Sequence, residues 1–294
     1  MLPDNATPPY LPHLRQPGVL AMGLAPLGER PWIETDTQLP RYHAHKLRQR
    51  RALGERVYRA LPTSRDAQLE LSALLRSHLC DAQARVYARA GDGVRYLPTA
   101  LALPGGDDEP LWRCSLWVAD DLLILQAVDD RYLLTAASLC SPSEWLLEEK
   151  FGRPLAQIHA PIPGFDRALT PQVERFFRHL KVAHPVLRYN WSLQAGDHLC
   201  QRPREAAEQR PLTAGTPLYY RVERQSLRRL PHSGAVVFTI RVYLHPLESL
   251  RDTSGALPAL WRAIDATPPA LARYKGFERL APALRRYRDD PRNR

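Results

Sequence analysis

The chain has 294 residues, 44% of them hydrophobic, with a formal net charge of +10. That is ample material for the core of one large domain or two modest ones, and it argues against disorder along the whole length. No apolar run reaches the roughly 18 residues of a membrane-spanning helix, and Pro3 and Asp4 stand where a signal peptide would carry positive charge, so the expectation is a soluble, cytoplasmic protein. A basic balance calls for an acidic partner. Its arginines, however, are diluted among alanine, leucine and proline, and no RNP, zinc-finger or helix-turn-helix pattern supports nucleic acid. An arginine-rich surface remains, with a subset of arginines for an anionic cofactor or for the acidic face of a redox partner.

In chain order, residues 1–36 read as an extended arm, proline-rich and without periodicity, with Met22-Gly23-Leu24 and Trp32 as anchors. A loose helical stripe runs from Leu39 to about Ala60. A second helix runs from about Ser64, as its N-cap, to about Cys80, with Leu69, Leu71, Leu74, Leu75 and Leu79 on or near one face. His43 and His45 lie two apart on the first helix and so point in different directions; they read as surface histidines rather than a chelating pair. Cys80, Cys114, Cys140 and Cys200 are far apart with no CxxC pair, which leaves buried reduced thiols rather than a zinc ribbon or a chain-borne iron–sulfur cluster. Apolar runs at Leu111–Val118, Leu122–Val128 and Tyr132–Ala136, separated by acidic turns, predict a β-meander.

The connection from Ser141 to Phe165 interrupts the strands. Ser141 and Pro142 predict a helix start, Gly152 a stop, and Arg153-Pro154 a short second helix through His159, broken by Pro161, Pro163 and Gly164. A third helix follows from Thr170 to Lys181, and strands return at Val186–Leu193, Pro217–Leu227 and Ala235–Leu244. The tail predicts amphipathic helices around Leu257–Ile264 and Leu271–Leu280, then about a dozen basic residues that fray. The order of strands, helices and strands predicts an α+β fold with one antiparallel sheet interrupted by a helical crossover and further helices at both termini. The expected division is an arm at 1–36, a single domain at 37–250 and a helical extension at 251–294.

Three constellations could carry chemistry. His159 follows an isoleucine and precedes a rigid Ala-Pro-Ile-Pro segment that holds it with little entropy left to lose; this suits an axial haem ligand, and it also suits a histidine satisfied by backbone carbonyls in a tight turn. Period two from Tyr220 to Ser226 puts Arg221, Glu223 and Gln225 on one strand face and Arg224 on the other. Such a row is either an exposed arginine–carboxylate lattice or a pocket wall holding anionic groups such as haem propionates. The third is Arg188-Tyr189-Asn190-Trp191, in which Asn190 and Trp191 alternate faces, so that one can meet a ligand space while the other, Trp191 as a core residue, packs on a helix. No GxSxG, GxGxxG or phosphate-binding glycine loop supports a hydrolase or nucleotide enzyme.

Several of these stretches together resemble the haem-binding α subunit of the haem-dependent oxidative N-demethylases, the dimethylamine monooxygenases. The pieces are Met22-Gly23-Leu24 with Trp32 and Asp36, then Pro142-Ser143-Glu144-Trp145, Glu149-Lys150-Phe151-Gly152 and Ile158-His159-Ala160-Pro161-Ile162-Pro163. They continue with Arg188 and Asn190-Trp191, Arg221 to Gln225, Arg228 to Pro231, and Ser233-Gly234, in the family's order over about residues 20–245. The resemblance implies a PAS-like sheet with a helical crossover holding haem b. It also implies O2-dependent oxidation of a small secondary amine to release formaldehyde, with electrons from NADPH through FMN and 2Fe–2S partner subunits of a reductase. His159 matches the family's Ile-His-x-Pro motif as proximal metal ligand; Arg221, Arg224 and Arg228 become candidates for propionate or oxygen-side contacts. Glu223, Gln225 and Asn190 become candidates to polarise oxygen or hold the amine. A haem-binding PAS-like sensor or carrier without turnover is the alternative from another class.

Overall fold

The computed structural model describes residues 8–15, 22–164, 170–202 and 212–293; Phe165, at the end of the connection singled out above, lies outside them. The arm contributes β1 (Ala25–Pro26). Helix α1 (Leu39–Leu53), strand β2 (Tyr58–Ala60) and helix α2 (Arg65–Ser77) follow. Next come β3 (Tyr87–Ala90), β4 (Gly93–Tyr96), β5 (Leu101–Leu103) and α3 (Pro110–Ser115). The hairpin β6 (Asp121–Val128) and β7 (Arg131–Ser138) leads into α4 (Leu147–Lys150), α5 (Leu155–His159) and α6 (Thr170–His179). Strands β8 (Val186–Ala195), β9 (Leu218–Arg229) and β10 (Val236–Pro246) precede α7 (Ala256–Asp265), α8 (Pro269–Tyr274) and α9 (Phe277–Asp289).

Among the described residues these strands form a seven-stranded antiparallel sheet in the order β1-β8-β9-β10-β6-β7-β2, and β3-β4-β5 form a small second sheet. The α+β architecture with an antiparallel sheet and a helical crossover is therefore as expected. The β6–β7 turn is Asp129-Asp130, both at positive φ (48° and 61°), the backbone of a type I′ hairpin that suits the right-handed twist of its strands. On α2, Ala67, Leu71 and Leu75 recur every four residues and are fully buried, as is Leu79 in the turn that follows, which sets that helix on the core.

Five local expectations are corrected. Leu111–Val118 is a short helix and a turn: Pro110 starts α3, and the carbonyls of Ser115, Val118 and Asp120 converge on the buried Lys46 ammonium, which the alternating carbonyls of a strand could not do. The first helix stops at Gly54 (φ 53°), and Tyr58–Ala60 instead pairs with β7. No helix starts at Ser141, because the Asp121 carboxylate accepts the N–H groups of Cys140 and Ser141 (3.0 and 2.7 Å) and Ser143 bridges to Gln201. Of the two histidines of α1, His45 is buried against the Cys140 carbonyl (2.8 Å), and His43 is half-buried and meets that of Leu116 (3.2 Å). The tail does not fray, since α9 runs to Asp289 and the buried Asn293 accepts a hydrogen bond from Arg251 (2.5 Å). The β3–β5 sheet goes beyond the turns that Gly91-Asp92-Gly93 predicts. All four cysteines are free thiols, two buried and two half-buried.

The end of the arm, from Trp32 to Asp36, lies against the sheet face opposite α4–α6. Trp32 is 2% exposed, and the Arg228 guanidinium stacks 4.5 Å above its ring. Arg224 donates to the Trp32 carbonyl at 3.0 Å and pairs with Glu34 at 3.0 Å. Beside them Arg241 pairs with Asp36, both buried, and stacks 4.1 Å from the Tyr42 ring. Removing one member of such a pair strands a charge without water. Arg241→Met should therefore cost roughly 3–5 kcal/mol, read as a lower urea midpoint with an unchanged slope.

Candidate functional site

A cavity of about 930 Å³ lies between the other sheet face and the crossover helices. Strand period two divides its floor. Leu123 and Leu125 on β6 with Phe238 and Ile240 on β10 make an apolar half, faced by Phe176 and Phe177 from α6 and by Leu24 of the arm. Strands β8 and β9 make a polar half, in which the register sets Arg188 opposite Gln225, Asn190 opposite Glu223 and Ser192 opposite Arg221.

His159, at the C-terminal end of α5, lines this cavity. Its Nδ1 lies 2.9 Å from the Leu155 carbonyl, which can only accept, so Nδ1 carries the proton and Nε2 the lone pair. Burial holds the imidazole below its ordinary 6.5, and Arg188 and Lys150 push the same way against the Leu155 hydrogen bond. The ring is therefore a neutral nitrogen donor at neutral pH, the form a metal ligand requires.

On the polar half, Glu223 accepts from Arg221 Nε (3.2 Å), Asn190 Nδ2 (3.4 Å) and Gln225 Nε2 (2.9 Å). Burial alone would raise this carboxyl; Arg221, the Asn190 hydrogen bond and Lys275 overturn that and hold it below its ordinary 4.5. With Nε2 committed to Glu223, Gln225 Oε1 is a buried acceptor that finds no donor among the described residues. Such an atom calls for a donor from a bound ligand or a water.

Of the arginines expected in the site, only Arg221 points to this side, and its donors are spent on the carbonyls of Leu199 (3.0 Å) and Ser141 (2.5 Å) and on Glu223. It fastens the walls together rather than meeting a ligand. Arg224 and Arg228 lie on the opposite face with the arm, as their even spacing from each other and odd spacing from Arg221 require. Arg188, which the sequence offered as part of the third constellation and of the resemblance without a role of its own, lines the cavity, as do Asn190, Glu223 and Gln225.

Sequence reasoning missed Lys275. It follows α8, where Gly276 turns the chain at φ 73°, and its ammonium donates to Asn190 Oδ1 (3.1 Å) and the Trp191 carbonyl (3.3 Å). Burial pulls it down to about 8, with Glu223 opposing and Arg188 adding to the fall. Tyr274-Lys275-Gly276 signals only a helix stop; nothing local says that the stop delivers a cation to β8. The 251–294 extension thus supplies part of the cavity wall.

Because the Glu223 carboxyl is lowered in the folded protein, its stabilising contribution is complete above its unfolded value near 4.5 and is lost as pH falls through the folded value. Glu223→Gln should therefore flatten the acid limb of stability against pH below about 4.5, checked by urea unfolding across that range.

Residues 23–285 match a family model described as haem-dependent oxidative N-demethylase, alpha subunit-like, and that span contains the histidine, the strand network and Lys275. The match covers most of the chain, which belongs to the haem-dependent oxidative N-demethylase, alpha subunit-like family.

Proposed function

We propose that this chain is the haem-binding, oxygen-activating subunit of an oxidative N-demethylase that takes a small secondary amine such as dimethylamine and releases formaldehyde. Electrons would come from NADPH through FMN and 2Fe–2S on partner subunits. One observation carries the reading: a neutral histidine with its tautomer fixed lines a large cavity that is apolar on one half and polar on the other. At about 930 Å³ the space lies near the top of the range of roughly 300–1,000 Å³ for cofactor and small-molecule sites.

The residues present fit haem b. His159 Nε2 is the candidate axial ligand, Leu123, Leu125, Phe238 and Ile240 would flank the macrocycle, and Arg188 suits a carboxylate at its edge. When bound, the haem supplies O2 binding and activation. The chain itself receives the amine: Gln225 Oε1 is a waiting acceptor for an amine N–H, and Glu223 is the neighbouring carboxylate. The apolar half excludes water from the reacting methyl group.

A PAS-like description of 37–250 is supported by the way β10 returns to pair with β6 after the crossover through α4–α6, which leaves β6–β7 on one side of the sheet and β8–β10 on the other. Haemin titration followed by absorption should show stoichiometric uptake. His159→Ala should weaken it by more than the roughly 10–100-fold that loss of an outer-shell partner costs a metal site, and an unchanged spectrum would move the ligand elsewhere. Reduced, haem-loaded protein given O2 and dimethylamine should release formaldehyde; release at background level would leave a haem sensor or carrier.

A further inference from the structure

The polar wall has a direction. A lysine ammonium can only donate, so Asn190 turns Oδ1 toward Lys275 and Nδ2 toward Glu223; a carboxylate can only accept, so Gln225 turns Nε2 toward Glu223 and leaves Oε1 over. Lys275 thereby occupies the acceptor that Asn190 could have offered an amine. It also brings a second positive charge to a carboxylate that Arg221 Nε already meets at 3.2 Å. Two cations to one carboxylate leave no deficit for a third to fill, and a further charge in this dry wall meets net repulsion. A small dialkylamine is a cation in neutral water.

We propose that the cavity takes its amine unprotonated and that Lys275 is the positioning residue that enforces this, by holding Asn190 Oδ1 and placing its charge near Glu223 where an ammonium ion would otherwise sit. The inference rests on the N-demethylase reading and adds the charge state of the substrate. The neutral amine donates its single N–H to Gln225 Oε1 and keeps its lone pair, which an ammonium ion has given up. The amine's proton stays in solution on entry, so the cavity needs no base to remove it.

The charged groups facing Lys275 are Glu223 and Arg188 from β9 and β8, with Arg221 behind Glu223; Tyr274 is its neighbour on α8. Burial raises that phenol, so it stays neutral near pH 7. With Glu223 lowered as well, the wall keeps nearly one charge pattern from about pH 6 to 7, and with Lys275 at about 8 half of that ammonium charge is gone by pH 8.

The test is calorimetric binding of dimethylamine between pH 6 and 7, where Lys275 keeps its charge, to the full chain, haem-free and haemin-loaded, with tetramethylammonium as a permanently charged probe. The wild type should bind about tenfold more tightly for each pH unit gained, because the neutral fraction rises tenfold, and should exclude tetramethylammonium. Lys275→Gln keeps a donor for Asn190 but removes the charge. It should flatten that slope, admit tetramethylammonium and bind dimethylamine at least tenfold more tightly at pH 6 in the haem-free form, while Lys275→Arg should restore the slope. A flat wild-type slope in the haem-free protein, or an unchanged slope in Lys275→Gln, would overturn the inference and leave the N-demethylase reading standing. A wild type that binds no dimethylamine in either form would sink both. Should Lys275→Gln fail to fold, the wild-type slope and the exclusion of tetramethylammonium still decide.

Discussion

A strand covered on both faces ordinarily reads as an almost unbroken apolar run, yet β9 carries Arg221, Glu223 and Gln225 to one side and Arg224 and Arg228 to the other. Charge buried in this way has to be matched on the spot, and the matching partners come from distant parts of the chain. On the arm side they are Glu34 and the backbone carbonyl of Trp32; on the cavity side they are the carbonyls of Ser141 and Leu199. The alternation of one strand therefore ties the N-terminal arm, the connection after β7 and the turn after β8 to a common centre. The cavity keeps its shape because its walls are fastened to the strand that forms its polar floor.

The C-terminal helices meet a related demand. Among the described residues the outer edge of β8 has no strand partner beyond Leu187, and an open edge presents unpaired carbonyls. Lys275 takes the carbonyl of Trp191, while the Trp191 ring stacks 6.1 Å from Phe277 on α9. Covering the edge and finishing the cavity wall are one act, which is why the extension belongs to the site.

What could be read from the sequence is what local chemistry decides. Period two placed Glu223 and Gln225 together and Arg224 apart, proline and glycine marked both ends of α5 and so the setting of His159, and the Asp129-Asp130 turn foretold the hairpin. What failed to show is what tertiary partners decide. Leu111–Val118 has the composition of a strand, but a buried lysine from α1 collects its carbonyls; Ser141-Pro142 has the composition of a helix start, but the Asp121 carboxylate claims the backbone first. Lys275 was invisible for the same reason, since its role exists only where a helix stop meets the edge of a strand.

His159 and Glu223 have opposite jobs and are prepared by opposite environments. Burial without a compensating charge favours the uncharged imidazole, because desolvation penalises the cation and Arg188 adds to the penalty. The same burial would neutralise Glu223, but Arg221, Asn190 and Lys275 outweigh it and keep the carboxylate ionised. A nitrogen lone pair and a fixed anion thus coexist on the walls of one cavity at one pH, the separation of roles by environment that acid–base and ligand chemistry both require. Because the anion is already compensated by the protein, it orders the wall without demanding charge from whatever enters. The polarity of the site is therefore largely internal, and the cavity offers an incoming molecule an apolar half and, on the polar half, Gln225 Oε1, an acceptor without a donor among the described residues.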